Sequence, residues 1–141
     1  MTCSFADVRG YAGCAVTALR GELDISDAAE LSSWLAAVAS RGPWSIVDLA
    51  ELVFIDCSSL GALAGARERA RLARGDMLLV RPRGAVARLL VLTGQAEVFS
   101  VFPTVASAAF SAGLAVVGTR LAFASARKSP AVATDANALA K

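Results

Sequence analysis

The sequence predicts an α/β fold in which a mixed sheet is covered by helices. Short apolar or alternating runs take turns with segments of helical apolar spacing. Glycine and proline mark the boundaries between them. The unbroken apolar run Met77–Val80 is typical of a central strand buried on both faces. A length of 141 residues fits one domain. The 56% hydrophobic content supplies a core, and the 6% aromatic content makes that core aliphatic.

The elements follow in order. Residues 2–8 and 14–20 read as two strands, with Gly10-Tyr11-Ala12-Gly13 as the turn of a hairpin. Gly21-Glu22-Leu23-Asp24 leaves the second strand. Asp27 followed by Glu30 fits a capping box. Behind it Leu31, Trp34, Leu35 and Val38 recur at helical spacing, and Gly42-Pro43 ends that helix. Trp44 to Leu49 reads as a strand and Val53-Phe54-Ile55 as a second short run. After Asp56-Cys57-Ser58-Ser59 a helix runs to about Arg74. Leu63, Ala66, Ala70 and Ala73 mark its buried side, and Arg67, Arg71 and Arg74 form a stripe beside them. Gly75 stops it. Pro82-Arg83-Gly84 is a loop, and Val86, Leu89, Leu90 and Thr93 continue as a helix that Gly94 ends. Val98 to Phe102 is a last strand, and Thr104 to about Ser111 a last helix. Beyond about Gly118 the pattern fails, so a domain over 1–115 is expected to carry an Ala-rich flexible tail over 116–141.

Composition excludes several function classes. The net charge of +2 gives no footprint for nucleic acid. Its distribution is uneven, with three Arg against eight acids in residues 1–57 and seven Arg against three acids in residues 58–119. Such polarity suits steering towards a protein partner, and equally suits ordinary solvated faces. Histidine is absent, which removes the usual general base and the commonest metal ligand. No metal cluster, nucleotide loop or cofactor motif is visible. Cys3, Cys14 and Cys57 are odd in number and lack ligand-like spacing. With no signal peptide at the start, cysteine use points to a reducing cytoplasm. The uncharged stretch 98–119 has bilayer-spanning length, but its Pro103, serines and two glycines split it into a strand and a helix rather than a membrane span.

Asp56-Cys57-Ser58-Ser59 lies where a strand hands over to a helix. A helix start presents free N–H groups that favour a capping oxygen, a thiolate or a phosphate. The simplest role for Ser58 or Ser59 is the N-cap. An enzyme built on Cys57 lacks its supporting cast, because no His serves as base, position 63 is Leu63 rather than Arg, and position 60 is Leu60 rather than Cys. Asp24, Asp48 and Asp56 fall at strand ends as either paired acids or caps.

Five segments then resemble one family. Gly21-Glu22-Leu23-Asp24, Val47-Asp48-Leu49, Phe54-Ile55-Asp56, Gly75 to Pro82 and Val86 to Gly94 are similar, in order and spacing, to STAS domains of bacterial anti-sigma factor antagonists. The resemblance covers roughly residues 5–110. It implies a STAS fold, a mixed four- to five-stranded sheet with about four helices packed mainly on one face. It implies a non-enzymatic switch that binds an anti-sigma factor, usually an ATP-dependent serine kinase, and so releases a sigma factor. In that family the kinase phosphorylates a serine at the start of the second helix and abolishes the complex. No membrane and no nucleic acid enter that scheme.

The match departs from the family at this site. Cys57 occupies the usual phosphoserine position, Ser58 matches the next Ser/Thr, and Ser59 replaces a glycine. Ser58 is therefore the candidate acceptor, with Ser59 the second choice. A permanently unphosphorylated protein is the equal alternative, and oxidation of Cys57 a third. Asp24 and Asp56 flank the switch. Cys57, Ser58, Ser59, Leu60, Gly61, Arg67 and Arg71 are the expected partner surface. The rival reading is a STAS module in another signalling or stress assembly, redox-sensitive through Cys57.

Overall fold

A computed structural model describes residues 4–114. The expected tail over 116–141 lies outside the described residues. Strands β1 (Ser4–Tyr11) and β2 (Cys14–Leu23) form the expected antiparallel hairpin. Ala12 and Gly13 turn it with φ of 50° and 85°, the left-handed pair that a two-residue turn needs to match strand twist. A 3-10 turn (Ile25–Asp27) leads into α1 (Ala28–Ala39). Then come β3 (Trp44–Ile55), α2 (Cys57–Leu72), β4 (Asp76–Val80), α3 (Gly84–Leu92), α4 (Gln95–Val98) and β5 (Val101–Phe102). A last helix, α5, occupies 105–114.

The five strands lie side by side in chain order, and β2 to β5 are all parallel. Each crossover therefore steps the same way across the sheet. Right-handed connections then place their helices on one face. Leu31, Leu35, Leu63, Val86 and Leu90 meet Leu19, Val47 and Leu79 there. On the other face, Val105, Ala108, Ala109 and Ala112 of α5 cover Val16, Ile46, Leu78 and Val80. Strand β4 is buried throughout, its residues alternating between the two layers.

Several expectations need correction. Strand β2 runs on to Leu23. The two apolar runs at 44–49 and 53–55 are one strand, β3. Ala18 pairs with Asp48 but Arg20 with Glu51, and Gly21 pairs with Leu52 but Glu22 with Phe54. Strand β3 thus carries an extra residue twice, and each bulge resets its side-chain alternation. Leu49, Leu52 and Ile55, three apart, all turn inward as a result. The expected strand over 98–102 is the end of α4 followed by a two-residue strand, because Gly94 reverses at φ 76° and starts a new turn of helix. The capping box is Asp24 with Asp27, not Asp27 with Glu30. The Asp24 N–H donates to Asp27 Oδ2 at 2.9 Å, and the Ser26 N–H donates to Asp24 Oδ1 at 2.9 Å.

Helix α2 ends in a Schellman arrangement. Gly75 N donates to Ala70 O at 2.8 Å and Arg74 N to Arg71 O at 3.0 Å. The left-handed residue is Arg74, with φ 68°. Gly75 is demanded by space instead, since a Cβ there would lie 1.9 Å from the Pro43 carbonyl oxygen. That carbonyl also accepts from Asp76 N at 3.1 Å, locking the start of β4 to the start of β3. Gly75→Ala is expected to cost about 2–4 kcal/mol through this backbone clash. Arg74→Gly should raise stability by about 1 kcal/mol by removing left-handed strain. Urea unfolding of the two variants checks the opposite signs.

Candidate functional site

The site forms where the carboxyl ends of β2 and β3 meet the start of α2. Asp56 is extended (φ −94°, ψ 175°), and its Oδ1 accepts from Ser59 N at 2.8 Å. Asp56 is therefore the N-cap, and Cys57, Ser58 and Ser59 are the first three helical residues. Neither serine is the cap.

The bond of Ser59 to β2, together with helical period, then sorts the three side chains. Ser59 turns inward, fully buried, and its Oγ donates to the Asp24 carbonyl at 3.0 Å. Cys57 and Ser58 turn outward and are exposed. Cys14, by contrast, is buried, and that burial pushes its thiol pKa up.

The expected partner surface divides in two. Cys57, Ser58 and Gly61 are on the outside. Leu60 is 4% exposed and belongs to the core. Arg67 is turned inward, its side chain 11% exposed. Its Nε lies 3.3 Å from Asp76 Oδ1 without hydrogen-bond alignment, and its guanidinium sits 5.8 Å from the Phe99 ring centroid. Arg71 donates to Asp76 Oδ2 at 3.2 Å and stays partly exposed. The stripe read as a partner surface thus serves largely to hold buried Asp76.

The three acids do not converge. Asp48 sits within β3, accepting from Ala50 N at 3.0 Å and from Arg81 at 2.8 Å. Asp24 and Asp56 are joined through Ser59. The Ser26 hydroxyl and then the Ser26 N–H hold the Asp24 carboxyl below its ordinary pKa of 3.8. Two apolar side chains were missed from sequence. Ile25 is 73% exposed and Phe54 is 43% exposed, flanking the ends of β2 and β3. The signal for Ile25 was a lone apolar residue in a polar turn. For Phe54 there was none, because the second bulge turns it outward. Among the described residues no group of acids or cysteines has metal-site geometry, and no helix is long and apolar enough to cross a membrane.

Asp56→Ala should cost about 1 kcal/mol through the lost cap. Ser59→Ala should cost about 1–2 kcal/mol by leaving the Asp24 carbonyl without its partner. Urea unfolding measures both. Because the folded pKa of Asp24 is lowered, its contribution is present above the unfolded value and is lost as pH falls through the folded one. Asp24→Asn should flatten the acid limb of the stability curve below about pH 4.

The comparisons with known proteins agree with this fold. The STAS domain family model matches residues 5–108. The anti-sigma-F factor antagonist RsfA of Mycobacterium tuberculosis is 33% identical over 109 residues, covering 73% of this chain and 83% of that protein. The crystal structure of an anti-sigma factor antagonist from Mycobacterium paratuberculosis superposes with a TM-score of 0.68 at 28% identity, covering 79% of this chain and 93% of that one. A putative anti-sigma factor antagonist from Thermotoga maritima shares the fold, with a TM-score of 0.70 at 21% identity over 75% of this chain and 92% of that one. With the family match over most of its length and a relative 33% identical, the chain belongs to the STAS-domain family of anti-sigma factor antagonists.

Proposed function

We propose that the protein binds an anti-sigma factor of the serine-kinase type in the cytoplasm, through the surface around the start of α2, and so releases a sigma factor. Phosphorylation of Ser58 ends the complex. The observation that carries this reading is the sorting of the three side chains. Only Cys57 and Ser58 are accessible, and only Ser58 offers a hydroxyl. Ser59 reaches a kinase only if α2 opens, because its Oγ is bonded to the Asp24 carbonyl.

The physics of the switch follows from position. Ser58 is the second residue of a 16-residue helix, where backbone N–H groups and the helix dipole accommodate an anion. A phosphate there leaves the helix intact. Its effect falls on the contact surface, where Ile25 and Phe54 present apolar area. About −1.5 to −2 charges beside that area must be desolvated when a partner covers it. Exposed Cys57 beside Ser58 supports a second reading, in which oxidation of the thiol adds bulk and polarity to the same surface.

Affinity for the anti-sigma partner, measured by calorimetry, tests the assignment. Ser58→Asp should weaken binding by about tenfold or more, and Ser58→Ala should leave it within about threefold. Unchanged affinity in the Asp variant sinks Ser58 as the switch. Loss of binding on peroxide treatment, prevented by Cys57→Ser, favours the redox reading instead.

A further inference from the structure

We propose that the cleft between α1 and α2, at the start of β3 and away from Ser58, is a binding site for a small amphipathic carboxylate. The cleft encloses about 480 Å³, within the range of about 300–1,000 Å³ typical of small-molecule sites. Ala36 and Ala39 wall it from α1, and Ala66 and Ala70 from α2. These short side chains leave space between the two helices. Pro43, whose carbonyl leaves no room for a Cβ on Gly75, also lines it. Ala70 and Ala73, expected from sequence to be core, line this space instead.

Two polar groups give the site its chemistry. Ser45 is 7% exposed and lines the cleft, and its hydroxyl makes no hydrogen bond to another described residue. Arg69 is the charged side chain of the lining. It forms no ion pair with another described residue. Both groups donate, and a guanidinium fork matches a carboxylate. The helix-end carbonyls nearby ask for no donor, since Ala36 O accepts from Ser40 N, Ala39 O from Gly42 N and Ala70 O from Gly75 N. An apolar body with an anionic acceptor head therefore fits, whereas an ammonium head meets Arg69. The site stands independently of the partner-binding reading.

Sodium decanoate titrated into the full-length ¹⁵N-labelled protein, with decanol and decylammonium as controls, tests the proposal by NMR. Saturable shifts at Ser45, Ala66 and Ala70 are expected, with decanoate binding about fivefold or more tighter than either control. Arg69→Ala should remove that preference while leaving decanol binding unchanged. Ala70→Leu should fill the cleft and abolish binding, and Ala36→Leu does the same from the other wall if the first variant fails to fold. Absence of saturable shifts at millimolar decanoate overturns the site. So does binding that survives a folded filling variant, or decylammonium binding as well as decanoate.

Discussion

Two hydrogen bonds join the carboxyl end of β2 to the turn between β3 and α2, and a third caps the helix that follows. Asp56 N donates to Leu23 O at 3.0 Å, Ser59 Oγ to Asp24 O at 3.0 Å, and Ser59 N to Asp56 Oδ1 at 2.8 Å. All the groups concerned lie where strands stop, so the ladder no longer serves their backbone. Ser59 resolves two such needs together, satisfying one carbonyl with its hydroxyl and using its own N–H on the cap. The orientation of α2 follows from this. With Ser59 pinned inward, helical period sends Leu60 and Leu63 into the core and leaves Cys57, Ser58 and Gly61 outside. The exposed surface at the start of α2 is what remains once the helix has met its structural obligations.

The far end of α2 is held by different means. Arg67 and Arg71 reach one buried carboxylate, Asp76, whose Oδ1 also accepts from Met77 N at 2.8 Å. An ionised carboxylate in that position needs several donors, because desolvation is otherwise uncompensated. Two arginines on successive turns are the response. Gly75 then lets the chain pass against Pro43 on its way into β4. The helix is thus anchored at both ends by polar contacts and along its length by aliphatic packing. On the side of this far end that faces α1, alanines line a cleft.

Strand β3 joins these two ends of the sheet. Ser45, Ile46, Val47 and Asp48 pair on both sides, with β2 and with β4. From Leu49 onward its pairing is with β2 alone, and the two bulges fall in that part. Bulges favour places where a ladder is not clamped on both sides. Their effect is to bring Ile55 inward and Phe54 outward at the point where the chain enters α2.

The order of strands and helices, the aliphatic core and the family were legible in the sequence, because period, glycine and proline placement, and local motif depend on residues near one another in the chain. Asp56-Cys57-Ser58-Ser59 was legible as a helix start for the same reason. Which of its residues caps, which is buried and which faces solvent was decided only by tertiary structure. The deciding partner, the Asp24 carbonyl, lies 35 residues away from Ser59. Arg67 and Arg71 read as a surface stripe because no local pattern shows that Asp76 is buried beneath them. The division of β3 into two runs was an error of the same origin. A bulge is defined by pairing with β2, and a one-strand period cannot register a residue that its neighbour lacks.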